Sequence, residues 1–361
     1  MARDSGRAAP GNELSGRFGL PSRQADGDWL DWAEGADELP PLRTTVTVER
    51  PRKAMTRNES PDIPFDRSFN AYRGCEHGCI YCFARPTHAW HDLSPGLDFE
   101  TKLFAKPTGP ALLRAEFARA GYRPAVLAMG TNTDPYQPIE REWRITRAVL
   151  DLCLETRHPV SVTTKSDRVL MDLDRLAALA GLQLAMAMVS VTTLERKLAR
   201  SMEPRAAAPH RRLEAIRRLS AAGVPTFVSV SPIIPALTDH ELEAILAAAA
   251  EAGAWGAFCQ PVRLPLEVAP LFERWLHLHA PDRAARVLGA IRAMRGGKLN
   301  RAGWFERMQP QGEWGRLLRM RLRMATRRLG LDRPPPELRL DLFAPPHAIS
   351  PSADRRQREL F

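Results

Sequence analysis

The chain is 361 residues long, 44% hydrophobic and 26% charged, with five cysteines and a formal net charge of +10. This is the balance of a soluble globular protein that can bury a substantial core in one large domain or two ordinary ones. It excludes a membrane span, because no run of about 18 apolar residues occurs, and a disulfide framework, because three of the five cysteines crowd into one stretch.

The opening MARDSGRAAPGNELSGRF mixes charges and lacks an apolar stretch, so no secretory signal is expected and the cysteines point to a reducing cytoplasm. The positive balance fits a polyanion partner, or equally an arginine- and alanine-rich composition with no partner behind it. Residues 1–42 are rich in Gly, Pro, Asp and Arg without periodicity, which predicts a disordered or loosely attached arm. A β-prone piece, Thr44 to Arg50, follows, and then a proline-containing extended lead from Asn58 to Cys75.

From there apolar runs alternate with helix-period segments. The runs are AVLAMG, PVSVTT, LAMAMVSV, TFVSVSP and GAFCQPV; the segments between them include REWRITRAVLDLCLET, DRVLMDLDRLAALA, HRRLEAIRRLSAAG and DHELEAILAAAAEAG. Two of these end in Gly, where a helix C-cap wants it, and Thr238 or Asp239 offers an N-cap. With a first strand just before Cys75, the alternation predicts six parallel βαβ units, either an open doubly wound sheet or a partial barrel. In both, function gathers at the C-terminal ends of the strands. The cysteine loop, GTNTDPYQP, TKSD, SVTTLE and SPIIPALTD all fall there.

After about residue 295 the pattern changes. An amphipathic helix is predicted, with Leu318, Leu322, Ala325 and Leu329 on one face and Arg316, Arg319, Arg323 and Arg327 on the other. A Pro-rich extension and a loose tail close the chain. The expected division is an arm at 1–42, an α/β body at 43–297 and a helical, basic extension at 298–361.

The densest chemistry lies in AYRGCEHGCIYCFARP, where Cys75, Cys79 and Cys82 stand as C-x3-C-x2-C. A closed zinc site wants four ligands, and no second C-x2-C exists, although His77, His88 or His91 could complete one. Three cysteines holding a [4Fe–4S] cluster instead leave one iron open to a small-molecule ligand. C-x3-C-x2-C with Tyr81 before the third cysteine resembles the radical SAM superfamily. Together with GTNTDPYQPIE, TTKSDRVLMDLDRL, SVTTLERKLARSMEPRAAAPHRRLEAI and PIIPALTDHELEAIL, it resembles the subfamily allied to spore photoproduct lyase, called DNA repair photolyase-like, from about Asn58 to Gly297.

That resemblance implies a partial (β/α)6 TIM-like barrel. It implies a [4Fe–4S] cluster on Cys75, Cys79 and Cys82, with S-adenosyl-L-methionine (SAM) on the open iron. Tyr81 would lie beside the adenine. The Gly130, Thr131, Thr133 and Asp134 loop would meet the methionyl amino group, with Thr133 and Asp134 best placed. Lys165 would reach the carboxylate and Ser190 the ribose. A reductant such as flavodoxin or ferredoxin follows, as does a nucleic-acid partner for the basic helix.

Plainer readings stand beside these. Tyr81 can be core, Asp134 before Pro135 a turn former, and Lys165 a surface charge. Glu203 and Arg212 can be a capping carboxylate and a helix-face arginine, and Cys153 a buried thiol. The lyase subfamily carries a hydrogen-donating cysteine in the loop after its second strand, where this chain has Thr131. Cys259 is a weak alternative donor if it faces the barrel interior. The functional alternative is a non-enzymatic zinc or nucleic-acid-binding module.

Overall fold

The computed structural model describes residues 7–13, 15 and 43–346. Its strands are β1 (Thr45–Val48), β2 (Thr56–Arg57), β3 (Arg67–Phe69), β4 (Tyr72–Arg73), β5 (Lys102–Ala105), β6 (Leu127–Met129), β7 (Val160–Thr164), β8 (Ala185–Ser190), β9 (Thr226–Ile233) and β10 (Gly256–Pro261). The helices are α1 (Leu97–Thr101), α2 (Gly109–Phe117), α3 (Glu140–Trp143), α4 (Ile145–Thr156), α5 (Leu173–Gly181), α6 (Arg196–Met202), α7 (Pro209–Ala221), α8 (Leu242–Glu251), α9 (Val268–His279), α10 (Pro281–Met294) and α11 (Gly312–Leu329).

One sheet runs in the order β10-β9-β8-β7-β6-β3-β2 and is parallel from β3 to β10, with β2 antiparallel at its edge. Six consecutive parallel strands joined by helical crossovers make the expected partial barrel. A small sheet, β1-β5-β4, flanks it. Among the described residues no helix is long and apolar enough to cross a membrane.

Register assigns the faces. Phe69, Met129, Val162, Val189, Val228 and Val230 share one side and are buried against the helices. Alternation then turns Ser68, Ala128, Ser161, Thr163, Met186, Met188, Ser190, Phe227, Ser229 and Phe258 toward the lumen. Large branched side chains fill a closed barrel. Here serine, threonine and alanine take six of the ten lumen positions, beside Met186, Met188, Phe227 and Phe258.

Cys259 pairs in register with Val230, and it packs against the core cluster that holds Val228 and Val230. The expectation that it could face the interior is therefore corrected. A parallel pair points both side chains to the same face, and Val230 faces the helices. Its neighbour Phe258 takes the lumen side and is 43% exposed.

Several local expectations change as well. Thr238 is the N-cap residue of a 3-10 turn, Asp239–Glu241, that runs into α8, whose own N-cap is Glu241. The Thr238 hydroxyl accepts the Ile234 amide, and Asp239 accepts the Ala236 amide and the Trp314 indole, so both fasten the loop after β9. α11 buries Leu318 and Ala325 while Leu322 and Leu329 are half-buried, and Arg316, Arg319, Arg323 and Arg327 are exposed. Arg321 joins the helix to α8 through Glu243 at 2.6 Å. The Pro-rich extension is tied to the body, with the Arg339 amide donating to Gln183 and the Ala344 amide to Thr156.

The loose-arm expectation is corrected at residues 7–13 and 15. Ala8 and Ala9 are buried, and the Ser15 hydroxyl donates to Glu267 at 2.7 Å. Composition missed this because two buried alanines and a few directed hydrogen bonds make no periodic pattern. The rest of the 1–42 arm, and the tail beyond 346, lie outside the described residues.

Candidate functional site

The cysteine loop leaves β4 and curls over the C-terminal rim of the barrel. The Cys75 amide donates to Phe99, and the Gly78 and Cys82 amides donate back to Cys75 and Cys79. Ile80, fully buried, plugs the second core, formed with α9 and α10.

Beneath the loop lies Arg85, whose side chain is wholly buried. Its guanidinium donates to the carbonyls of Cys79 (2.9 Å), Gly78 (2.8 Å), Pro95 and Gly96 (both 3.0 Å), and to Glu100 Oε1 at 2.5 Å. Glu100 also accepts the amides of Ala8 and Ala9. A rigid five-donor fork of this kind fixes the backbone between the first two cysteines. Sequence reasoning missed both residues: an arginine and a glutamate 15 positions apart carry no local sign of pairing.

Cys75 and Cys79 are buried, and Cys82 is half-buried. Burial pushes the Cys75 thiol well up, as do Asp134, Cys79 and Cys82 around it; burial and then Glu203 do the same for Cys79. Thiols that oppose one another's ionisation become thiolates when a metal centre supplies positive charge. Two further polar atoms in the same loop, Glu76 Oε2 and His77 Nε2, are buried without a hydrogen-bond partner. Among the described residues no three His, Cys, Asp or Glu side chains gather as they would around a single metal ion. A zinc ion draws its thiolates to about 2.3 Å from one centre, whereas a four-iron cluster takes each cysteine on a different iron. The donor set, three thiols of one loop, suits the cluster.

The loop after β6 is the second wall. Gly130 has φ +88°, and a Cβ there would lie 2.0 Å from the Thr163 carbonyl oxygen, so only glycine lets this loop cross β7. The Thr131 hydroxyl is paired with Asn70 at 3.0 Å. Thr133 donates to the Gly74 carbonyl at 2.6 Å and accepts Gln137 Nε2 at 3.0 Å, while Gln137 Oε1 accepts the Glu76 amide.

Asp134 accepts the Thr164 hydroxyl (2.7 Å), the Lys165 amide (2.7 Å) and the Tyr136 amide (2.9 Å), and its Oδ2 lies 3.2 Å from His77 Nδ1. Burial works to raise its pKa, but His77 and the hydrogen bonds from Thr164 and Lys165 hold it at about 2. Four partners fill a carboxylate's acceptor sites. The side chains of Thr133 and Asp134 thus brace the cysteine loop and β7.

Lys165 Nζ lies 5.8 Å from the centre of the Tyr81 ring. It faces the cysteine loop and has no carboxylate partner among the described residues. The Tyr81 hydroxyl makes a short contact with Glu203, which also accepts Thr192 and pairs with buried Arg212. Arg212 in turn donates to the Ser190 carbonyl at 3.1 Å. Glu203 ends α6 as its C-cap residue and Arg212 lies on the buried face of α7, and the two are paired with each other. They lock Tyr81 to the end of β8, where Ser190 faces the lumen. Cys153 is fully buried on α4, away from this rim.

A model of the Radical SAM superfamily matches residues 69–249. An uncharacterized protein of Mycobacterium tuberculosis (strain ATCC 25618 / H37Rv) is 35% identical over 226 residues, 62% of this chain and 66% of its own length. An uncharacterized protein of Methanocaldococcus jannaschii is 28% identical over 172 residues, 48% of this chain and 62% of its own. The chain thus spans just under two thirds of the length of these two relatives. Among solved structures, spore photoproduct lyase complexed with dinucleoside spore photoproduct superposes with a TM-score of 0.58 over 86% of this chain and 84% of that one, at 14% identity. That likeness is one of fold. The family match runs from the end of β3 into α8, half the chain, and takes in the whole cysteine loop and strands β6 to β9; on it, this chain belongs to the radical SAM superfamily.

Proposed function

We propose that the chain is a radical SAM enzyme in which Cys75, Cys79 and Cys82 hold a [4Fe–4S] cluster and the adjoining rim binds SAM. The observation that carries this is a braced loop of three neighbouring thiols at the strand ends of a parallel barrel sheet. When bound, the cluster supplies the electron that cleaves the sulfonium carbon–sulfur bond of SAM, giving a 5′-deoxyadenosyl radical able to abstract hydrogen from a substrate.

The protein's own part is binding and orientation. Lys165, without a carboxylate partner, is suited to the SAM carboxylate. Tyr81, fixed by Glu203, offers a ring face to the adenine, and Ser190 offers a hydroxyl to the ribose. Gly130 and Thr131 line the approach through their backbone. The substrate is a molecule carrying an abstractable hydrogen that fits this lumen. A flavodoxin or ferredoxin as electron source and a cytoplasmic setting complete the reading.

The hydrogen donor of the lyase subfamily has no counterpart here. Thr131 holds that position with its hydroxyl on Asn70, and Cys259 faces the helices. Spore photoproduct repair is therefore not the proposed reaction. The deciding experiment is anaerobic reconstitution. About four irons per chain, lost on replacing Cys75, Cys79 or Cys82 by Ala and retained in Cys153→Ala, support the reading. Zinc in place of iron rejects it.

A further inference from the structure

We propose that the C-terminal extension carries a phosphate-binding trough for a single nucleic-acid strand, formed by the turn after α10 and the first turns of α11. The residues lining this surface lie outside the cysteine loop in sequence, and the inference stands independently of the enzyme reading.

Two adjoining clefts, of about 420 Å³ and about 530 Å³, share Glu306. The first is lined by Arg295, Lys298, Asn300 and Arg301, the second by Phe305, Gln309, Arg316 and Arg319. Five basic side chains thus face one carboxylate, and Glu306 is already paired with Arg301 at 3.0 Å. Lys298 and Arg316 have no acidic partner among the described residues.

Arg295 is the fixed point of the trough. It is 1% exposed and donates to the carbonyls of Glu306, Arg307 and Val262, yet its Nε is buried with no partner. Burial, and then the neighbouring charges of Arg263 and Arg301, push its pKa down to about 10. Glu306, paired with Arg301, and Asp62, which pairs Arg307 and accepts the Phe305 amide, offset only part of this positive charge, and an anionic ligand relieves the rest.

The form of the ligand follows from the edges. Trp304 and Phe305, 60% and 54% exposed, stand on the turn between the two clefts. Cations that follow a backbone beside aromatic faces for stacking are the pattern of single-strand recognition, because a paired base offers no free face. The trough also has a direction. Arg295 donates to the carbonyl of Val262, just past β10, and Gln260 donates to that of Met308 at 2.8 Å. A strand lying in it leads toward the open edge of the barrel, where Phe258 is exposed.

The test uses the full chain, purified anaerobically, and a fluorescein-labelled single strand of about 12 nucleotides. Binding is followed by anisotropy from about 50 to about 200 mM salt. The double variant Lys298→Ala/Arg316→Ala is expected to bind about tenfold more weakly and to lower the slope of log K against log salt by about 1.4, from two lost phosphate contacts at about 0.7 each. Trp304→Ala is expected to weaken binding about tenfold with the slope unchanged. The control pair Arg217→Ala/Arg218→Ala, exposed on α7, is expected to change affinity less than about twofold, the roughly ±0.5 kcal/mol of a neutral surface substitution. The proposal fails if the trough pair binds like the parent or if the α7 pair loses as much. It also fails if duplex binds as tightly as single strand, or if AMP displaces the probe as well as unlabelled strand does at equal phosphate.

Discussion

Replacing Arg85 by Met tests whether the cysteine loop is held from beneath. The guanidinium supplies hydrogen bonds to four buried carbonyls and to Glu100, all within 3.0 Å. Methionine fills much of the volume and makes none of them. Leaving the buried Glu100 charge with the Ala8 and Ala9 amides but without its guanidinium costs up to about 3–5 kcal/mol, and each abandoned carbonyl adds about 1–3 kcal/mol before relaxation. These terms share one site and do not add fully, so a loss of about 5 kcal/mol is expected. Against a total stability of about 5–15 kcal/mol, that leaves the fold marginal and the loop disordered. Denaturant unfolding gives the free-energy change, and iron per chain after reconstitution gives the state of the loop. Adding Glu100→Gln to Arg85→Met removes the stranded charge and should restore about half the lost stability while leaving iron uptake low. If Arg85→Met unfolds within about 1 kcal/mol of the parent and takes up iron fully, the clamp argument is wrong.

Lys165→Ala should weaken SAM binding about ten- to a hundredfold with iron content unchanged, the cost of a charge-assisted contact, measured by equilibrium binding to reconstituted protein. Thr133→Ala should instead lower iron occupancy, because its hydroxyl holds the Gly74 carbonyl at 2.6 Å; unchanged iron with weakened SAM binding would return Thr133 to the ligand. Reduced enzyme with SAM should not convert a spore-photoproduct dinucleotide to paired thymines over many turnovers, and Cys259→Ala should leave SAM cleavage unaltered; repair that vanishes in Cys259→Ala would overturn the assignment of that side chain to the helical face. Burial raises Glu140 to about 7, although Tyr72 and the Thr146 amide bond to it. Its folded value therefore exceeds its unfolded one, and the stability it contributes is complete below about pH 4.5 and lost as pH rises through 7. The loss is on the order of 3 kcal/mol. Glu140→Gln should flatten that part of the stability–pH curve, and an unchanged slope would show the group ionises freely.

The sequence by itself determined the α/β alternation, the six barrel units, the cysteine loop and the glycines that follow α7 and α8. All are local: apolar runs of strand length, helical spacing, and three cysteines within eight positions. The amphipathic α11 was legible for the same reason, since 3.6-residue spacing alone sorts Leu318 from Arg316. Only the tertiary structure decided what each candidate side chain touches. Asp134 reads equally as ligand or turn former until β7 brings Thr164 and the Lys165 amide to its oxygens. Glu203 and Arg212 become the anchor of Tyr81 only when α6 and α7 close against β8. Arg85 and Glu100 have no sequence signature at all. Strand alternation says that Cys259 and Phe258 face opposite ways, but which faces the lumen depends on the register of β10 with β9. That register is set by burying Val228 and Val230 under α8, a long-range packing choice absent from any local window.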